Sequence, residues 1–136
     1  MTFNTNQIIL DGFTYHDDVF TMFLASGSGL TDDQLLGRAV TLDTTEGTVK
    51  VAANDEPIYG RIFQVEDRTQ EGVVTVSVET KFRKRLKKQV ATSFNIGDTA
   101  IGEGSGLVKP ALSADPTDNL VLAVATDGSY VIVHKF

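Results

Sequence analysis

The chain has 136 residues, no cysteine, and 12 basic against 18 acidic residues, for a formal net charge of −6. That length suits one domain with its own core, and the missing cysteine excludes disulfides, thiolate zinc sites and thiol nucleophiles together. Apolar runs such as Val19 to Ala25 fall far short of the ~20 residues that span a bilayer, and residues 1–6 lack the basic and apolar regions of a signal peptide. The expectation is a soluble product made in the cytoplasm, with no membrane contact.

Residues 1–36 show no sustained hydrophobic period. Ile8, Ile9 and Leu10 form a short apolar patch, and Phe13, Tyr15, Phe20 and Phe23 scatter aromatics after it. Such a segment reads either as an arm that finds its partner on another chain or as an irregular strand tucked on its own barrel. Thr31, Asp32, Asp33 and Gln34 have capping-box spacing, with Thr31 as N-cap and Gln34 at N3, so one helical turn through Leu36 is expected, ended by Gly37.

From Arg38 the chain becomes a series of short β-runs punctuated by turns. Strands are expected over 38–43 and 48–52 around a 43–47 turn, then over 58–66 and 73–80 around a 67–72 loop. Further strands are expected over 97–101, 107–110, 120–125 and 130–136, the last after an Asp127–Gly128 turn. Val73 to Thr80 keeps its apolar residues at a strict period of two. Pairing Glu66 with Val73 sets Val65 across from Val74 and Phe63 across from Val76, so the two apolar sets share a face. The fold class is therefore all-β: a small barrel or sandwich of short antiparallel strands over 37–136, preceded by an extended arm and one short helical turn over 1–36. Gly37-Arg38-Ala39-Val40 and Gly60-Arg61-Ile62-Phe63 look alike, but two short matches make no repeat and read as coincidental strand starts.

The one dense charge feature is KFRKRLKK at 81–88. Lys81, Arg83, Lys84, Arg85, Lys87 and Lys88 are half of all the basic residues, and the rest of the chain stands at −12. A general nucleic-acid binder is usually basic over its whole domain, so this balance points to a local electrostatic contact on a repelling body. Phe82, Leu86 and Val90 at i, i+4 and i+8 allow a short amphipathic helix, while continuity with the β-branched run before it favours a strand. In either form Phe82 and Leu86 anchor one side and the charges face outward. A straight strand from Gly72 to Leu86 would be ~50 Å long, against a radius of gyration near ~14 Å for the whole domain, so the basic end must bend sharply or project. A solubilising edge strand would also carry lysines, but six like charges at one end exceed that role.

Other constellations carry little chemistry. His16 and His134 belong to no ligand or triad spacing, and the pairs Asp17-Asp18 and Asp32-Asp33 read as solvated acids, the second at a helix N-terminus. The glycine-rich stretches 25–29 and 102–106 lack the Gly-Lys-Ser/Thr or strand-GxGxxG-helix context of a phosphate loop and read as tight turns. No catalytic residue, metal site or cofactor is expected.

The order Leu36 to Leu42, Gly47 to Ala52, Pro57-Ile58-Tyr59-Gly60, Gly72 to Val76, Ile96-Gly97-Asp98, Gly106 to Pro110 and a final strand resembles the capsid decoration, or cement, proteins of tailed bacteriophages over about the last hundred residues. The long N-terminal segment and the basic strip depart from that pattern. The resemblance implies a non-enzymatic virion protein on the capsid surface that bridges neighbouring major capsid protein subunits, often as a homotrimer or other small homo-oligomer such as a dimer. On that reading Lys81, Arg83, Lys84, Arg85, Lys87 and Lys88 dock on acidic coat loops, and Ile8, Ile9, Leu10, Phe13 and Tyr15 of the arm add apolar contact to a neighbour. The runner-up is a small nucleic-acid-binding barrel using 81–88. Against it stand the acidic remainder and the lack of an aromatic stacking platform beside the strip, where the sequence offers Phe82 alone.

Overall fold

A computed structural model describes residues 19–26, 28–68, 73–112 and 118–136. The arm residues Ile8, Ile9, Leu10, Phe13 and Tyr15, with His16 and Asp17-Asp18, lie outside them.

The described chain is nearly all β. Ten strands follow in order: β1 (Val19–Leu24), β2 (Ala39–Leu42), β3 (Thr48–Val51), β4 (Gly60–Arg68), β5 (Val73–Glu79), β6 (Phe82–Lys87), β7 (Ala100–Gly104), β8 (Leu107–Pro110), β9 (Asn119–Val124) and β10 (Tyr130–Lys135), with one helical turn α1 (Asp32–Leu35) after β1. The capping box forms as its spacing predicts: the Gln34 amide donates to Thr31 Oγ1 at 3.3 Å, and the Thr31 amide donates to Gln34 Oε1 at 3.0 Å. Gly37 follows at φ +78°, the left-handed conformation that stops a helix.

Strands β1-β3-β2-β4-β5 close into a barrel. Strand β1 is one of the five, antiparallel to β5 from Val19–Glu79 to Phe23–Thr75 and parallel to β3 at Phe23–Thr48 and Leu24–Val49, so residues 19–24 answer to the irregular strand tucked on its own barrel rather than to the arm. Its pattern fails to alternate, with Phe20 and Phe23 exposed while Met22 and Leu24 pack inward, which is why no period marked it as a strand.

The β4–β5 hairpin is also shifted from expectation. Arg68 opposes Val73, so Val65 meets Val76, and a bulge between Ile62 and Gln64 then sets Ile62 opposite Val78. A two-residue slip preserves facing, but the one extra residue of the bulge reverses it. Ile62 is therefore fully buried and Phe63, expected in the core, is 49% exposed.

A second sheet of order β6-β10-β9 and the hairpin β7-β8 pack beside the barrel. Two clusters result. Leu35, Val40, Val49, Ile62, Val76 and Val78 fill the barrel, and Phe82, Leu86, Phe94, Val108, Val121, Val131 and Val133 form the other. Strand β2 belongs to both, since alternation sends Val40 into the barrel and Ala39 into the second cluster. The 102–106 glycines make the β7–β8 turn, as expected, and Gly102 has no room for a side chain: a Cβ there would stand 2.3 Å from the Ala53 carbonyl oxygen.

Candidate functional site

The basic strip is a strand. After β5 the chain bends at Thr80-Lys81 and enters the second sheet, where Phe82–Lys87 pairs antiparallel with Tyr130–Lys135 through all six residues. It bends rather than projects, and the six-residue ladder holds it as an integral edge strand. Phe82 and Leu86 point into the core as anchors, at 7% and 0% exposure, and Arg83, Lys84 and Arg85 are exposed.

The outer edge of β6 is closed by side chains and loops. Arg61 Nε donates to the Arg85 carbonyl at 2.7 Å, and the Lys87 amide donates to the Gly37 carbonyl at 3.2 Å. An edge treated this way resists strand addition. What remains along it is a groove of about 820 Å³ between β6 and the barrel wall. Arg38, Arg61, Lys84, Arg85, Lys87 and Lys88 line it with Leu36, Phe63, Val90 and Tyr130, and no Asp or Glu is among the lining residues.

Each cation is held by a local cause. Arg38 Nε donates to the Gln34 carbonyl at 2.6 Å, and Lys87 Nζ reaches the Asp33 and Gln34 carbonyls at 3.1 and 3.2 Å, so both sit at the carbonyl end of α1. Glu79, 7% exposed, bridges Arg61 and Lys84, each at 2.8 Å. Lys84 also lies 4.8 Å from the Phe63 ring centre and Arg85 lies 4.2 Å from that of Tyr130, cation–π distances. Burial pushes the Lys87 ammonium below its usual pKa, and repulsion by Arg38 and Arg61 adds to this while Asp33 opposes it. Burial likewise lowers Arg38.

The six strip residues thus divide. Lys88 is buried, its Nζ donating to the Gln89 and Thr92 carbonyls at 2.8 and 2.5 Å, so it offers no charge to a partner. Lys84, Arg85 and Lys87 face the groove, and Lys81 and Arg83 stand exposed outside it. Of the six, Lys84 alone has a carboxylate partner among the described residues.

Arg38 and Arg61 were not expected at a site. The signal existed in the two Gly-Arg strand starts, read as coincidence, which the fold sets side by side: Ala39 opposes Arg61, and the Gly37 and Ile62 amides donate to the Ile62 and Arg38 carbonyls. Phe63 and Tyr130 were missed because a bulge and the pairing of Tyr130 with Lys87, far along the chain, bring them to the strip, which nothing local announces. His134 opposes Arg83 on β10 and stacks edge-on against Phe136 at 5.1 Å. Among the described residues, no three His, Cys, Asp or Glu side chains gather as a metal site.

No family model matches this chain, and comparison with curated proteins finds no match either.

Proposed function

We propose that this chain is a non-enzymatic capsid decoration protein, which binds the outside of an assembled phage head and cross-links neighbouring coat subunits. The observation that carries the docking contact is the exposed pair Lys81, at the bend ahead of β6, and Arg83, on that paired strand, neither with a carboxylate partner among the described residues, on a chain of net charge −6. A protein with acids to spare whose described residues set none of them against these cations favours an acidic surface outside itself. On the same outer sheet face, Arg83, His134 and Leu120 follow one another across three strands, with Leu122 nearby and also exposed, so a charged flank adjoins an apolar one. That is the anatomy of a protein interface. The pattern of strands and turns that resembles cement proteins supplies the partner class, and many identical weak contacts around a shell add through multivalency.

Co-sedimentation of the protein with assembled capsid shells tests this. Saturable binding is expected, weakened roughly tenfold or more, ~1.4 kcal/mol, by the double change Lys81→Gln and Arg83→Gln. Saturable binding to DNA with none to shells would overturn it. Nucleic acid is kept as the second reading because Phe63 and Tyr130 give the strip the aromatic neighbours that the sequence did not show.

A further inference from the structure

Six cations and no carboxylate line the groove beside β6; Glu79 bridges Arg61 and Lys84, and Lys88 is buried, which leaves Arg38, Arg85 and Lys87 without a carboxylate partner among the described residues, beside exposed apolar side chains such as Val90, 71% exposed, and Phe63. We propose that its occupant is this chain's own N-terminal segment Ile8–Phe13, folded back over the groove so that Asp11 meets Arg38 and Lys87 while Ile8, Ile9, Leu10 and Phe13 cover the apolar lining. The inference rests on reading the basic surface as a protein-binding one and is independent of the capsid.

The position of the segment's root is the first argument. Val19 opens β1 opposite Glu79, and Glu79 is the residue that bridges the groove cations Arg61 and Lys84. Val19 therefore lies one strand away from Arg61 of the groove wall, on the other side of β5. Thr14 to Asp18, five residues, span up to ~17 Å, and so short a tether places the segment at an effective concentration in the millimolar range. Composition is the second argument. Residues 1–18 hold Asp11, Asp17 and Asp18 and no Lys or Arg, and their apolar residues cluster at 8–15. Both charges and apolar groups complement the groove. The closed edge of β6 makes the seat one of side chains rather than an added strand, since Arg61 and Gly37 already hold its backbone groups. Lys81 and Arg83, outside the groove, stay free for an external surface under this arrangement.

The full chain tests the proposal by paramagnetic broadening in NMR, because a spin label on Asn6→Cys is attached at a unique thiol. Loss of the amide signals of residues 36–38, 61–63 and 84–90 is expected when label and isotope are on the same chain. Val90→Asp, at an exposed position, and separately Asp11→Lys, should each restore those signals. Broadening spread elsewhere, none at all, or broadening found only when labelled chains are mixed with isotope-bearing unlabelled ones would overturn it; the last result would make a second copy the occupant. Intact broadening with failed shell binding sinks the capsid reading alone, and shell binding without broadening sinks this one alone.

Discussion

Asn119, on β9 and 2% exposed, turns its amide onto Ala100: Oδ1 accepts from the Ala100 amide at 2.7 Å and Nδ2 donates to the Ala100 carbonyl at 3.1 Å. One side chain thereby does what a ladder pair would do, tying the β7–β8 hairpin to the second sheet. Replacing it with an apolar residue of similar size strands both backbone groups in the core, and each unsatisfied buried group costs about 1–3 kcal/mol. Asn119→Leu should therefore lower stability by about 2–4 kcal/mol in urea denaturation; a loss under 0.5 kcal/mol would contradict the role. Nothing in the sequence marked this residue, since an Asn in a β-run reads as a turn residue until its partner 19 positions away is known. Glu79 is the same kind of case: an acid at a strand end is unremarkable until Arg61 and Lys84 are seen on either side of it.

At the level of elements, the sequence showed where most strands lie, though β1 was unmarked and the strand expected over 97–101 lies at Ala100–Gly104, and it showed much less of which face each presents. Leu107–Pro110 matches its expected span, and β2, β3, β5, β9 and β10 begin and end within a residue or so of theirs, because turn chemistry at Asp43–Gly47, Asn54–Pro57 and Asp127–Gly128 is local. Facing in β4 depends instead on a bulge, which inserts one residue and has no local signature here. The two positions give a direct comparison. Ile62→Ala should cost about 2–5 kcal/mol by chemical denaturation, while Phe63→Ala, half-exposed, should cost clearly less. The reverse order would restore the register expected from alternation alone. The bend at Thr80-Lys81 was legible as a necessity of size, and the strand that receives β6 was not, because β10 lies at the far end of the chain.

For the whole molecule, the acids and bases are distributed unequally between structure and surface. Glu56 lies below the usual carboxylate range chiefly because it accepts the Ala53 amide, and Asp127 chiefly because it accepts the Ser129 amide. A carboxylate depressed in the folded state contributes stability that is complete above its unfolded pKa and lost as the pH falls through the folded one. Stability should thus hold near neutrality and decline below about pH 4, where unfolded carboxylates titrate. Glu56→Gln with Asp127→Asn should flatten that decline in urea midpoints measured across the acid range; an unchanged slope would show that other acids carry it. The all-β architecture was readable from turn spacing and period alone. The division into a barrel and a second sheet was not, since it depends on β1 pairing in parallel with β3 and on β6 leaving the hairpin.

The strand that closes the barrel is also the first one after the N-terminal segment, and this has a mechanical meaning. A pull on the chain ahead of Val19 runs along β1, which is locked on one side to β5 over five residues and on the other to β3. Force along a strand with neighbours on both sides loads its hydrogen bonds together in shear instead of opening them one at a time as at a free edge. Anything that grips the N-terminal segment is therefore anchored to a strand held by neighbours on both sides, and a stretched contact would strain its outer grip before it unthreaded the barrel.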